Sequence, residues 1–449
     1  MTVIELGDVS RIPAEPPEPE PAPEFRRGTV RRLVLTGLTL LCAALLSASV
    51  PPGPAGFRRL WSVPFGQADT MAIRGDLAYV HRAHADGARL TAYDVATGEV
   101  RWTRLTGTQV SWLSGGQNEE VLLIPGDEQT AEVEFEDGSR GVEVFGGTVT
   151  ALDPVTGERL WKHPGFQEWA DTKGTILLYE HDRDGLTVVR VVRARSGELL
   201  WERRLEEAQT AMLQVDGSTP AHVVLAAPDG RMTVLRYSDG ATVVSRRVPW
   251  VPLQPSTGRG SSLSTATGMV LVSDNLAQHH AKVTAYRVGT LEKLWEREAD
   301  ESPYVQDCGL VLCLGDGTNV IALDPATGAE RWRRPGQVNM GVLPGGDRML
   351  VSGSAEDSQQ TILSSVDGRE LGTGGRGHVL HHNQEENSML LSRALPPDYN
   401  RAVLRRLDLV TGRSVVLGII PISRDGFCDG DGRYIGCRDG NDITFTAVG

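Results

Sequence analysis

The chain has 449 residues, of which 40% are hydrophobic and 23% charged. That is enough apolar material to bury cores and too little for a multi-span membrane protein. A formal net charge of −13 excludes the basic footprint that a nucleic-acid binder needs. Glycine, at 51 residues, is in excess, and the 9 Trp outnumber the 8 Phe and the 8 Tyr, a balance that predicts many tight turns between short strands.

Residues 1–32 read as a disordered cytoplasmic tail. Pro13, Pro16, Pro17, Pro19, Pro21 and Pro23 alternate with Glu15, Glu18, Glu20 and Glu24, so donors are missing and like charges repel. Arg26, Arg27, Arg31 and Arg32 then flank Leu33 to Val50, eighteen residues without a charge. At ~1.5 Å per residue such a helix is ~27 Å long, close to a bilayer core. The run is expected to be a single transmembrane helix. The arginines place its N-terminus in the cytoplasm and the rest of the chain outside, although Arg58 and Arg59 weaken the asymmetry. A cleaved secretory signal ending near Ser47-Ala48-Ser49 is the competing reading. Cys42 follows Leu41, a poor setting for lipidation. Residues 51–56 form a Pro-rich linker.

From residue 57 onward a unit recurs. Ala92-x-Asp94 leads through Gly98 to Trp102. Asp153 leads through Gly157 to Trp161, and Asp324 through Gly328 to Trp332. Weaker copies are Gly197 with Trp201, Gly240 with Val244, Leu291 with Trp295, Gly368, and Gly412 with Val416; Trp61 reads as the end of a copy whose corner is absent. Each unit combines alternating strands with a corner. There Asp binds backbone donors two or three residues on, and Gly takes the left-handed conformation that closes the hairpin. A Trp at one register can wedge between neighbouring sheets and bury ~150–250 Å². Four strands per ~40 residues predict an all-β propeller over 57–449 rather than a row of sandwiches, whose repeat is nearer 100 residues. Eight corners precede residue 413, and the tail supplies further strands that the segment at Trp61 can complete, closing the ring and removing its open edges. The literal count is nine units. The expectation is eight four-stranded blades, with one unit between 341 and 420 misread.

The interval from Gly98 to Gly157 is longer than the others. It contains Pro125 to Gly147, with Asp127, Glu128, Glu132, Glu134, Glu136, Asp137 and Glu143. This predicts an extended acidic hairpin, and insertions on propellers often mark the binding face; a solvated variable loop is the plainer alternative. Ser256 to Gly268 reads as a second long loop. Cys308 with Cys313, and Cys428 with Cys437, can oxidise outside the cytoplasm and staple the first two strands of their own units. The doublets His279-His280 and His381-His382, the latter preceded by His378, suggest a metal patch less well than a solvated loop. Asp429 to Gly432 and Asp182 to Gly185 resemble calcium loops but lack the later bidentate acid, so Asp-Gly turns explain them better.

The Ala-x-Asp-x-x-Thr-Gly-x-x-x-Trp string resembles the repeat of quinoprotein-type, or PQQ-like, propellers. That family contains both quinone-dependent dehydrogenases and the non-enzymatic propeller lipoprotein of the bacterial outer-membrane barrel-assembly machine. The resemblance implies eight blades as the usual count. The enzymatic branch carries adjacent cysteines and large cofactor-binding insertions, neither of which this sequence has. The expectation is therefore a monomeric, membrane-anchored propeller in the cell envelope that binds a protein or envelope component, without catalysis, cofactor or metal. A dehydrogenase on the same fold is the alternative.

Overall fold

A computed structural model describes residues 57–449 except 85–86, 108–109, 111–112, 114–119, 135–138, 171–173, 184, 209, 217–218, 253–258, 278–279, 300–303, 356–357, 384–386 and 424–425. The tail, apolar segment and linker read over 1–32, 33–50 and 51–56 lie outside it. Among the described residues no helix is long and apolar enough to cross a membrane.

The first unit shows the pattern: strands Thr70–Arg74, Leu77–His84, Gly87–Asp94 and Val100–Leu105 form one antiparallel sheet in chain order. The same arrangement recurs six times, from Thr210–Asp216 to Ser414–Pro421 and in the closing sheet. The eighth sheet has seven strands. It holds two successive units: Leu122–Glu134, Arg140–Leu152 and Arg159–Pro164, then Phe166–Ala170, Thr175–Asp182, Gly185–Arg193 and Leu199–Ala208. The two are joined through the pair His181 and Gly146. In the closing sheet the strand Phe57–Pro64 pairs with Asp442–Val448, so the ends of the ring meet in one sheet, as the sequence suggests.

The apolar core is divided rather than continuous. Nine buried clusters lie between successive units among the described residues. The last of them packs Ile443 and Phe445 of the closing sheet against Met71, Ile73, Ala78 and Val80 of the first unit. Nine shared interfaces in a closed series mean nine units. This corrects the expectation of eight. The stretch around 341–420 forms two complete four-stranded units, Asn339–Val342 to Glu370–Arg376 and His378–Asn383 to Ser414–Pro421. Their motif is faint because Gly372 stands where Trp is expected, facing Gly412 so closely that a Cβ on Gly372 would lie 3.3 Å from the Gly412 Cα.

The corner chemistry is as the residues require. Asp94 Oδ1 accepts from the backbone N–H of Ala96 and Thr97, and Asp324 Oδ1 from Ala326 and Thr327. Six tryptophans then dock on the corner of the following unit. Trp61, Trp102, Trp161, Trp201, Trp295 and Trp332 donate Nε1–H to the carbonyls of Val95, Pro154, Ala194, Tyr237, Pro325 and Ser365. Each acceptor stands three residues before the next corner glycine. A Cβ on Gly98, Gly157, Gly197, Gly240, Gly328 or Gly368 would lie within 2.4–2.8 Å of that indole. The motif alanine has its own reason: Ala92, Ala151, Ala285 and Ala322 sit directly across the strand pair from a Trp.

The corner acids also set the response to acid. The hydrogen bond from Arg331 to Asp324, aided by Thr327 and the two backbone donors, holds its carboxyl below the usual range. Asp94 is lowered likewise, with Arg101 the first cause. A carboxyl depressed in the folded state stabilises fully above its unfolded value, about 3.9, and loses that contribution as pH falls through the folded value. The thermal midpoint is therefore expected to fall below about pH 4. Asp324→Asn keeps the turn acceptor but not the charge. It should fall less steeply and converge with the wild type at the acid end, and melting curves from pH 7 to pH 2 check this.

Both cysteine pairs are joined as disulfides. Cys308–Cys313 closes the turn between the first two strands of its unit, and Cys428 and Cys437 are cross-strand partners in the closing sheet.

Candidate binding surface

The acidic insertion is strand rather than loop. Leu122–Glu134 and Arg140–Leu152 are thirteen residues each, where the equivalent strands of the first unit have eight. At ~3.3 Å per residue the extra five carry the hairpin ~17 Å further. Its register is constant from Leu122–Leu152 to Glu134–Arg140, so even-numbered residues of both strands share one face and odd-numbered ones the other.

The two faces have different neighbours. At the base, odd-numbered Leu123, Val149 and Ala151 pack toward the third unit, while Leu122, Ile124 and Leu152 pack toward the first. Above the sheet the hairpin bends where Asp127, Gly146 and Gly147 take positive φ. Gly147 is required there, because a Cβ would lie 2.9 Å from the Phe166 ring. Past the bend the odd face still leans on the third unit: Phe145 is buried, with the Arg183 guanidinium 5.2 Å from its ring centre.

The even face is left to solvent. Val142 and Val144 are 63% and 45% exposed, opposite Glu132 and Thr130. Glu128, Glu132 and Glu134 are exposed, as is Arg140 across from Glu134. Isolated surface valines need no explanation; these two stand two residues apart on one strand and form a small apolar strip between acids. Of the acids singled out in the sequence, Asp127, Glu128, Glu132 and Glu134 are on this hairpin, and Glu136 lies outside the described residues.

Below the face the same parity continues into a groove of about 420 Å³ between the first and second units. Ile124, Gly126, Thr148, Thr150 and Leu152 form one wall, and Arg104, Arg159 and Lys162 border it. Asp127 turns down into it, accepting from Thr148 Oγ1 at 3.0 Å and Lys162 Nζ at 2.6 Å. Those two bonds, Lys162 first, hold its carboxyl below the ordinary range. No local pattern announces this groove, since its cations come from two strands, Val100–Leu105 and Arg159–Pro164, that are far apart in the chain.

The other sequence candidates resolve differently. His378, His381 and His382 lie on one strand of the eighth unit, and among the described residues no group of three His, Cys, Asp or Glu is placed to hold a metal. Burial lowers the pKa of both His381 and His382. His279 is outside the described residues. Asp431 makes a turn, accepting from the N–H of Arg433 and Tyr434. Asp429 does something the sequence did not announce: it accepts the Ile73 N–H and faces Arg74 at 3.7 Å, tying the closing sheet to the first unit.

Residues 145–307 and 279–403, together more than half of the chain, match the model of the family described as outer membrane protein assembly factor BamB. The chain belongs to that family, the PQQ-like propellers. No curated protein sequence matches it significantly. Among solved structures it is similar to BamB from Moraxella catarrhalis, at 13% identity over 87% of this chain and 99% of that one, with a TM-score of 0.35. It is similar also to a europium-containing methanol dehydrogenase, at 12% identity, 66% and 72% coverage and a TM-score of 0.35. A eukaryotic initiation factor structure gives 11% identity, 81% and 92% coverage and a TM-score of 0.51. At such identities the likeness is one of fold.

Proposed function

We propose that this member of the BamB-type propeller family is a non-catalytic binding module, held to a membrane by residues 33–50 with its ring outside the cytoplasm, and that the long hairpin is its docking element for a protein partner. The solvent-facing ribbon of Val142, Val144, Thr130, Glu132 and Glu134 carries the reading. A rigid ring presents it, and its other face is fixed through Phe145 and Arg183. The uncharged run and its arginine flank support the anchor. Two disulfides support an oxidising compartment.

The test replaces residues 129–145 by Asn-Gly, a two-residue turn that closes the hairpin on the existing pair Glu128 and Gly146, at the level of its neighbours. The ring should keep its far-ultraviolet spectrum and melt within a few degrees of the parent. A photo-crosslinker at position 142, in intact cells, should capture one major partner, and the shortened chain should no longer co-purify with it. Undiminished recovery of that partner by the shortened chain would refute the docking role.

A further inference from the structure

The docking face and the groove beneath it have opposite electrostatic character. Above the bend the described charges are Glu128, Glu132 and Glu134 against Arg140. In the groove they are Arg104, Arg159 and Lys162 against Asp127, a local cationic excess on a chain of net charge −13. The three cations are not equivalent. Arg104 is committed to the carbonyls of Gly157 and Thr156, at 3.1 and 3.2 Å. Lys162 is shared with Asp127. Arg159 is exposed and has no ion-pair partner among the described residues, which leaves its planar fork available for a carboxylate. The hydroxyl of Thr150 lies on the same wall, and Ile124 and Leu152 supply an apolar floor.

Resting on the reading of the hairpin as the docking element, we propose that this groove is a carboxylate subsite of the same surface. The partner is then an extended segment that places an acidic group against Arg159 and runs a Lys/Arg-and-aliphatic stretch up the even face. Constant parity from Ile124–Thr150 to Glu132–Val142 makes the two regions one continuous surface. The rise over those eight residues is ~27 Å, which sets the bound segment at about eight residues. Two charge signs at opposite ends specify the direction in which it lies, which is what complementary potentials contribute to recognition. A second copy of this hairpin fits poorly, because acid would face acid.

The experiment uses the full chain in detergent micelles and two fluorescein-labelled peptides, Glu-Glu-Gly-Lys-Val-Lys-Val-Lys and the same peptide with Gly-Gly-Gly at its start. The acid-bearing peptide is expected to bind at least tenfold more tightly. Arg159→Ala should abolish that difference and leave the affinity of the second peptide unchanged. Glu132→Lys with Glu134→Lys should weaken both peptides. Equal affinity for the two peptides, or a tenfold gap that survives Arg159→Ala, would overturn the subsite while the hairpin still docks its partner. If neither peptide binds and the crosslink from position 142 still depends on the hairpin, the occupant is of another chemistry and the proposal fails alone. A crosslink from position 142 to a second copy of the chain would overturn it as well. Loss of any hairpin-dependent crosslink would instead bring down the docking reading.

Discussion

Trp161→Ala is expected to lower the unfolding free energy by about 3–5 kcal/mol, the usual cost of emptying a buried aromatic site. The indole is 8% exposed and donates to the Ala194 carbonyl at 2.7 Å, so truncation leaves both a cavity and an unpaired acceptor. The converse substitution, Gly197→Ala, should be nearly as harmful. A Cβ there would stand 2.4 Å from the Trp161 ring, and the backbone has a φ of +69°. Two effects are mixed in that variant, and Gly440 separates them. Its φ is +63° with nothing within 4 Å, so Gly440→Ala should show only the left-handed penalty, about 1–2 kcal/mol. Denaturant midpoints of the three variants check the wedge. If Gly197→Ala is no worse than Gly440→Ala, the indole does not hold the units together.

The second expected result is a rescue. One corner breaks the rule: Leu291 has a φ of +52°, in the slot that glycine fills elsewhere. The preceding unit has Val244 where Trp is expected, and Leu291 is buried in the cluster that Val244 borders. The side chain lost on one unit is returned from the next, at the expense of an unfavourable backbone angle. Leu291→Gly should relieve the angle but empty the site, for a net loss of about 1–3 kcal/mol. Val244→Trp should clash with Leu291 and cost a similar amount. The double variant rebuilds the standard wedge and should recover most of both losses, a coupling of about 2 kcal/mol or more. Simple additivity in the double variant would show that the two slots do not exchange volume.

The periodic parts of this fold were legible because they are local. Asp94, Asp153 and Asp324 bind donors two and three residues away, and the glycines that follow need a positive φ whatever surrounds them. The cysteine pairs were legible for the same reason, each spanning one turn between adjacent strands. The partner of each Trp was not: the indole leaves its own sheet and lands on a corner 30 to 52 residues on, as Trp161 does on Ala194. The eight-blade expectation failed at that same step. The faint motif near Gly372 and Gly412 looks like a missing unit, whereas strand pairing there is intact and only the wedge is absent.

The hairpin divides in the same way. Its existence and acidity could be read from Asp127 to Glu143, since alternation and turn residues are properties of neighbouring positions. Which face is free could not. That depends on Phe145 meeting Arg183, on Gly147 making room for Phe166, and on a first unit whose hairpin stops short. Local sequence sufficed for the repeat, its corner and its staples, because hydrogen bonds and disulfides across one turn need only the residues of that turn. The number of units, the docking of each tryptophan and the cationic groove were decided by tertiary structure, because they arise only when side chains distant in sequence come to share one volume.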